Sequence, residues 1–279
     1  MPKKKRGLTA TVTVGIGKGL WWSVKGSGKA LWWAAKGTAT GIGALARKAK
    51  DAKQKRVAAK PATKEPAISA PLQLITNVKG DYETFSQRFH RDSLIVLIAG
   101  RRGSGKSATA FRLLENIHAT NKRPCYAIGP KQNNLPAWIT AIGSIEDAKN
   151  GGVILVDEGA ITFSSRNAMS DANKDLAGLL AVARHKDLTL ILITQNTGMI
   201  DNNVLRLCDT LVFKEGSLLQ ERFERSAIKD LYETANKQLN EIPSSERMKH
   251  CYIIDAGFEG VLSAELPSFW SASVSKNQA

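Results

Sequence analysis

Along the second two-thirds of the chain, short unbroken apolar runs alternate with segments whose apolar positions recur at helical spacing. Residues 94–99 (LIVLIA), 153–156 (VILV) and 188–194 (LTLILIT) are the unbroken runs. Each is too short for a helix of ordinary length and rich in aliphatic, β-forming residues, so each predicts a strand buried on both faces. Residues 209–213 (DTLVF), 251–255 (CYIID) and 261–262 (VL) predict three more short strands. Leu176, Leu179, Leu180 and Val182 fall on one face of a helix from about Ser170 to His185. Leu231 and Ala235 mark the inner face of another, from about Arg225 to Leu239, and a third helix is predicted from about Lys106 to Ala119. This alternation predicts an α/β fold, a mostly parallel sheet with helices on both faces.

The first quarter of the chain has another pattern. Residues 17–26 (GKGLWWSVKG) recur imperfectly as residues 28–37 (GKALWWAAKG), a repeat of 11 residues. At about 100° per residue this is close to three helical turns, which brings Lys18, Lys25, Lys29 and Lys36 within roughly 20° of one direction. Trp21, Trp22, Trp32 and Trp33 flank that stripe, and Leu20, Val24, Leu31 and Ile42 lie opposite. Snorkelling lysines beside tryptophans suit a helix lying in a membrane interface. The same surface suits nucleic-acid phosphates or packing within an oligomer, and the three readings stay open. Gly15, Gly17, Gly19, Gly26, Gly28, Gly37, Gly41 and Gly43 each weaken a helix by about 1 kcal/mol relative to Ala, so this one is expected to form only on a membrane or partner.

Pro61, Pro66 and Pro71 then predict a linker. The expected division is a basic Gly/Trp/Lys extension over residues 1–60, a Pro-rich linker over 61–71, a globular domain over 72–270 and a loose polar tail over 271–279. No uninterrupted run of about 18 apolar residues exists, so a simple transmembrane helix is not expected. Lysines interrupt the apolar stretch that a secretory signal would need.

Charge sharpens this division. The 279 residues carry 40 Lys and Arg against 25 Asp and Glu, a net charge of +15. Residues 1–64 hold 16 of the basic residues and one acid, Asp51, which leaves 24 of each sign for the remainder. All the excess charge therefore sits on the extension, beginning with Lys3-Lys4-Lys5-Arg6, and an anionic polymer or membrane surface is its expected partner. The three cysteines are too few and scattered for a disulfide scaffold or a four-thiolate zinc site, and are expected to be reduced and mostly buried. The four histidines lack metal-ligand spacing.

The candidate chemistry lies at the ends of the predicted strands. Gly100-Arg101-Arg102-Gly103-Ser104-Gly105-Lys106-Ser107 follows the first strand and precedes a helix, which is the G-x-x-x-x-G-K-[ST] pattern of a P-loop NTPase in its proper context. Glycines let the backbone curl so that its N–H groups surround phosphate oxygens, and the helix N-terminus adds a favourable dipole. The Lys106 ammonium can reach the β- and γ-phosphates of ATP, and the Ser107 hydroxyl can ligate Mg²⁺. The second strand ends in Asp157-Glu158. Asp157 can hold the Mg²⁺ shell through water while Glu158 orients the attacking water, an arrangement a hydrolytic motor needs and a small-molecule kinase does not. The third strand ends at Gln195, an amide able to sense the γ-phosphate. Arg184, at the end of the preceding helix, reads either as a surface cation favoured by the helix dipole or as a finger inserted into a neighbouring subunit's site.

Together, Gly100–Ser107, Asp157-Glu158, Arg184 and Thr194-Gln195 resemble the FtsK–HerA superfamily of DNA-pumping ATPases. The nearest resemblance is to the genome-packaging ATPases of membrane-containing double-stranded DNA viruses, over roughly residues 90–215. It implies a RecA-like fold and a homo-oligomeric ring that drives double-stranded DNA into a capsid with ATP. Glu158, Lys106, Gln195 and Arg184 would be catalytic, Arg184 acting in trans, and capsid vertex proteins would be partners. The implied location is the virion, with association to an internal membrane through residues 8–56, and the host cytoplasm during assembly. The superfamily also includes filamentous-phage assembly ATPases acting at the host inner membrane, which is the alternative. A nonenzymatic DNA- or membrane-binding virion component with a nucleotide switch is the third reading.

Overall fold

The computed structural model describes residues 64–157, 169–195, 205–217, 226–271 and Val274. The chain divides into two units, Met1–Gln54 and Lys55–Ala279. The first unit, with the expected Trp/Lys helix, lies outside the described residues, as do most of the linker and most of the tail.

The described residues hold a nine-stranded sheet and four α-helices: β1 (Gln73–Gly80), α1 (Tyr82–Arg91), β2 (Ile95–Ala99), α2 (Lys106–Asn121), β3 (Cys125–Ile128), β4 (Ile139–Ala141), β5 (Val153–Val156), α3 (Met169–His185), β6 (Thr189–Thr194), β7 (Thr210–Phe213), α4 (Ser226–Asn240), β8 (His250–Asp255) and β9 (Phe258–Ser263). The strand order is β1-β9-β8-β7-β2-β6-β5-β3-β4. From β7 to β4 every pairing is parallel. From β7 to β1 every pairing is antiparallel, so the sheet is mixed rather than uniformly parallel.

The three unbroken apolar runs become β2, β5 and β6, and all their residues are buried. Along β2, Val96 and Ile98 join one core with Phe85 and Phe89 of α1 and Phe111 and Leu114 of α2. Ile95 and Leu97 face the other way and pack with Leu176 and Leu180 of α3, while α4 contributes Ile228, Tyr232, Ala235 and Leu239 beside Ala99 and Phe213. Alternate side chains thus enter cores on opposite faces, which is why the run has no polar gap.

Helix α2 is covered on nearly every side, and Ala108 through Ile117 are all buried. Polar side chains survive there by pairing. Arg112 meets Glu115 at 3.0 Å, with the two side chains 4% and 0% exposed. Arg112 also donates to the carbonyls of Ile68, Glu265 and Leu266. Glu115 accepts from the backbone N–H of Ile68 and from both the N–H and hydroxyl of Ser268. Asn116 exchanges two hydrogen bonds with the backbone of Ala70. Ile68 and Ala70, within the stretch expected to be a linker, are therefore docked onto α2. Val274, within the stretch expected to be loose, is 4% exposed and belongs to the same core as Phe111.

Candidate functional site

β2 ends at Ala99, and the chain turns through the Gly100–Ser107 loop directly into α2. The turn depends on missing side chains. Gly105 has φ +90°, and a Cβ there would lie 2.6 Å from the carbonyl oxygen of Met248. A Cβ on Gly100 would lie 2.7 Å from Cβ of Lys214. The loop closes on itself through Ser104 N–H to the Arg101 carbonyl at 3.2 Å, and α2 opens with Thr109 N–H to the Gly105 carbonyl at 3.0 Å.

Lys106 is 6% exposed. Its ammonium donates to the carbonyls of Gly100 at 2.9 Å and Arg101 at 2.8 Å, across the mouth of its own loop. Among the described residues the buried Ser104 hydroxyl has no hydrogen-bond partner, a polar atom in place for an incoming acceptor or donor. Ser107 is half-buried at the first turn of α2, while Arg102 and Gly103 are exposed at the loop tip. Arg101 turns away to Glu215, its Nη2 2.5 Å from Oε2.

Asp157 follows β5 and is 9% exposed. Gln195 follows β6 and is exposed. Strand β6 lies between β2 and β5, with Thr194 paired to Ala99 and Leu192 to Val156. The loop, Asp157 and Gln195 therefore share the C-terminal edge of the parallel strands, where ligands of open α/β sheets bind. Glu158 lies outside the described residues. Arg184 is not brought to this edge: it is exposed in the last turn of α3, just before β6 begins, and donates to the Leu207 carbonyl at 3.2 Å. Among the described residues no group of three or more His, Cys, Asp or Glu could hold a metal ion, and no helix is long and apolar enough to cross a membrane.

Behind the loop stand residues that no motif contains. Lys214 has 0% exposure and donates to the carbonyls of Met248 at 2.8 Å and His250 at 2.6 Å. Burial above all, with Lys106 nearby, pushes its pKa down to about 8. Glu215 binds Arg101 on one side and Arg247 at 3.1 Å on the other. Burial raises its pKa, but the hydrogen bonds from Arg101 and Arg247 outweigh that and hold it below the usual value. Lys214-Glu215 directly follows the β7 apolar run, and that continuity was the only signal in the sequence.

Fold and loop define a P-loop protein with a RecA-like sheet, in which one strand separates the loop-bearing strand from the strand ending in the acid. Residues 131–240 match the family model of the Zonular occludens toxin (Zot). No curated protein matches the chain. Among solved structures, it is similar to B204, the DNA-packaging ATPase of Sulfolobus turreted icosahedral virus, at 16% identity and TM-score 0.43, covering 63% of this chain and 99% of that one. The N-terminal domain of zonular occludens toxin from Neisseria meningitidis is similar at 13% identity and TM-score 0.36, with 62% and 95% covered. EssC (ATPases 2 and 3) from Geobacillus thermodenitrificans is similar at 10% identity and TM-score 0.43, with 79% and 50% covered.

Proposed function

We propose that the protein is an ATP-hydrolysing translocase of the FtsK–HerA kind, which forms a homo-oligomeric ring and moves double-stranded DNA into a viral capsid. The observation that carries this reading is the strand order β2-β6-β5. It sets Gln195 just past the end of the strand that lies between the loop-bearing strand and the strand ending in Asp157, so one side chain can respond to the γ-phosphate and pass the response along β6. A fold that only held a nucleotide would not need a polar residue there.

The loop fits a nucleoside triphosphate: it has a glycine cradle that a Cβ would fill, an enclosed ammonium and the unpartnered Ser104 hydroxyl. In this reading Lys106 leaves the Gly100 and Arg101 carbonyls for the β- and γ-phosphates. Ser107 and Asp157 would hold Mg²⁺, which keeps most of its shell as water and phosphate oxygens and so needs few protein ligands. The ion, when bound, neutralises charge between the β- and γ-phosphates. Glu158 orients and deprotonates the attacking water. Gln195 senses the γ-phosphate, and Arg184 serves a neighbouring subunit.

The test is ATP turnover by the purified full chain, with and without duplex DNA. Turnover that rises with DNA is expected; absence of hydrolysis in the oligomer would leave the nonenzymatic virion component. A second reading, an assembly ATPase acting at the host inner membrane, has the Trp/Lys repeat of residues 17–37 on its side. It expects the full chain to float with anionic vesicles and to hydrolyse ATP without stimulation by duplex DNA.

A further inference from the structure

Lysine is among the side chains least often fully enclosed, because its ammonium loses strong hydration. Lys214 is enclosed all the same. It runs along the underside of the loop: its backbone N–H donates to the Ala99 carbonyl at 2.8 Å, and its Cβ fills the space beside Gly100. Its Cε and Nζ lie 3.5 and 3.6 Å from where a Cβ on Gly105 would be. The Met248 carbonyl that it holds is the atom pressed against that same point.

Two carbonyls accept from an ammonium that has three N–H groups to give. Among the described residues, no carboxylate lies within ion-pair distance of it. The titratable groups that bear on it are the Cys251 thiol, whose pKa of about 11 leaves it neutral near pH 7, and the Lys106 ammonium, which repels it. Methionine would fill the same volume without the desolvation penalty, so packing alone does not account for a lysine here. A buried cation beside a second cation gains stability from an anion on the far side of the loop.

We propose that Lys214 is a positioning residue of the phosphate site: it braces the underside of Gly100 and Gly105 and adds, through the loop, a second positive charge that favours polyphosphate over monophosphate. This rests on the nucleotide-binding reading. Its signature is affinity that depends on phosphate count. Lys214→Gln separates the two parts, because it can keep the brace on the Met248 and His250 carbonyls and loses only the charge, whose loss acts most on ATP, less on ADP and least on AMP.

The experiment titrates fluorescent analogues of ATP, ADP and AMP into the full chain as wild type, Lys214→Met, Lys214→Arg and Lys106→Ala, with thermal melting to verify folding. Lys214→Met is expected to weaken ATP by about tenfold or more while changing AMP several-fold less. Lys214→Arg keeps the charge and should keep the ATP-to-AMP ratio, even where a bulkier side chain lowers both affinities. Should Lys214→Met not fold, Lys214→Gln, which can still donate to the Met248 and His250 carbonyls, makes the same comparison. Equal losses for all three nucleotides in a folded neutral variant overturn the proposal. Wild type that binds none of them overturns the nucleotide reading itself, and wild-type binding lost in Lys106→Ala with an unchanged ratio in Lys214→Met overturns this inference alone.

Discussion

Lys106 holds its ammonium on two carbonyls of its own loop, so nucleotide must displace an existing pair of hydrogen bonds before it gains the lysine. Lys106→Ala is therefore expected to weaken ATP binding as well as turnover. Glu158→Gln keeps the side-chain shape but loses the base, and should retain ATP while turnover falls by about 10²–10⁴-fold. Nucleotide affinity and single-turnover hydrolysis on the two variants check this, and unchanged hydrolysis in Glu158→Gln would remove its assigned role. Lys214 gives a pH signature of stability. Its folded pKa, about 8, lies below the ordinary 10.5, so between those values the unfolded chain binds more protons and stability rises with pH. Burial raises Cys125 and Cys208 to about 12 and Cys251 to about 11 from 9.0, so above pH 9 the folded chain keeps protons that the unfolded chain loses, and stability falls. Urea denaturation from pH 7 to 10 should show wild type gaining stability relative to Lys214→Met as pH rises above 8, over a fall from the cysteines that is common to both. The burial of the cysteines was expected from the sequence, but the lysine effect was not legible there, because a lysine after a strand reads as a solvated end.

At the scale of elements, α2 joins the phosphate loop to the segments that enter and leave the sheet. The pair Arg112–Glu115 is buried and anchors Ile68, Leu266 and Ser268. Glu115→Ala would strand a buried guanidinium and leave three donors without an acceptor, at a cost of about 3–5 kcal/mol in urea denaturation. Limited proteolysis near Ile68 should quicken in the same variant; unaltered stability and cleavage would mean that the segment is held by other contacts. The Pro-rich composition of residues 61–71 suggested only a linker because its anchors are side chains more than 40 positions away. Helix α1 and strand β1 also escaped the pattern. β1 is exposed at every position and is held by pairing with β9 rather than by an apolar face.

In the whole molecule, β6 separates Arg184 from the loop. Arg184 lies before its first residue and Gln195 after its last, and six strand residues span roughly 20 Å. A γ-phosphate that Arg184 contacts must then belong to another copy. Mixing Arg184→Ala with Glu158→Gln subunits is expected to recover turnover that neither variant has alone, since some interfaces then combine an intact arginine with an intact glutamate. Silence in verified mixed rings that tolerate single inactive subunits, or a monomer under working conditions, would defeat the trans role.

The sequence by itself determined β2, β5 and β6 and the loop after β2. A strand buried on both faces has to be apolar throughout, and a phosphate loop has to carry glycines and a lysine whatever surrounds it. Only the tertiary structure decided that β6 lies between β2 and β5, that three antiparallel strands extend the sheet, and that Lys214 lies beneath the loop. Strand order depends on which chain segments meet, and the burial of a lysine depends on what packs over it, two properties that no local pattern of residues encodes.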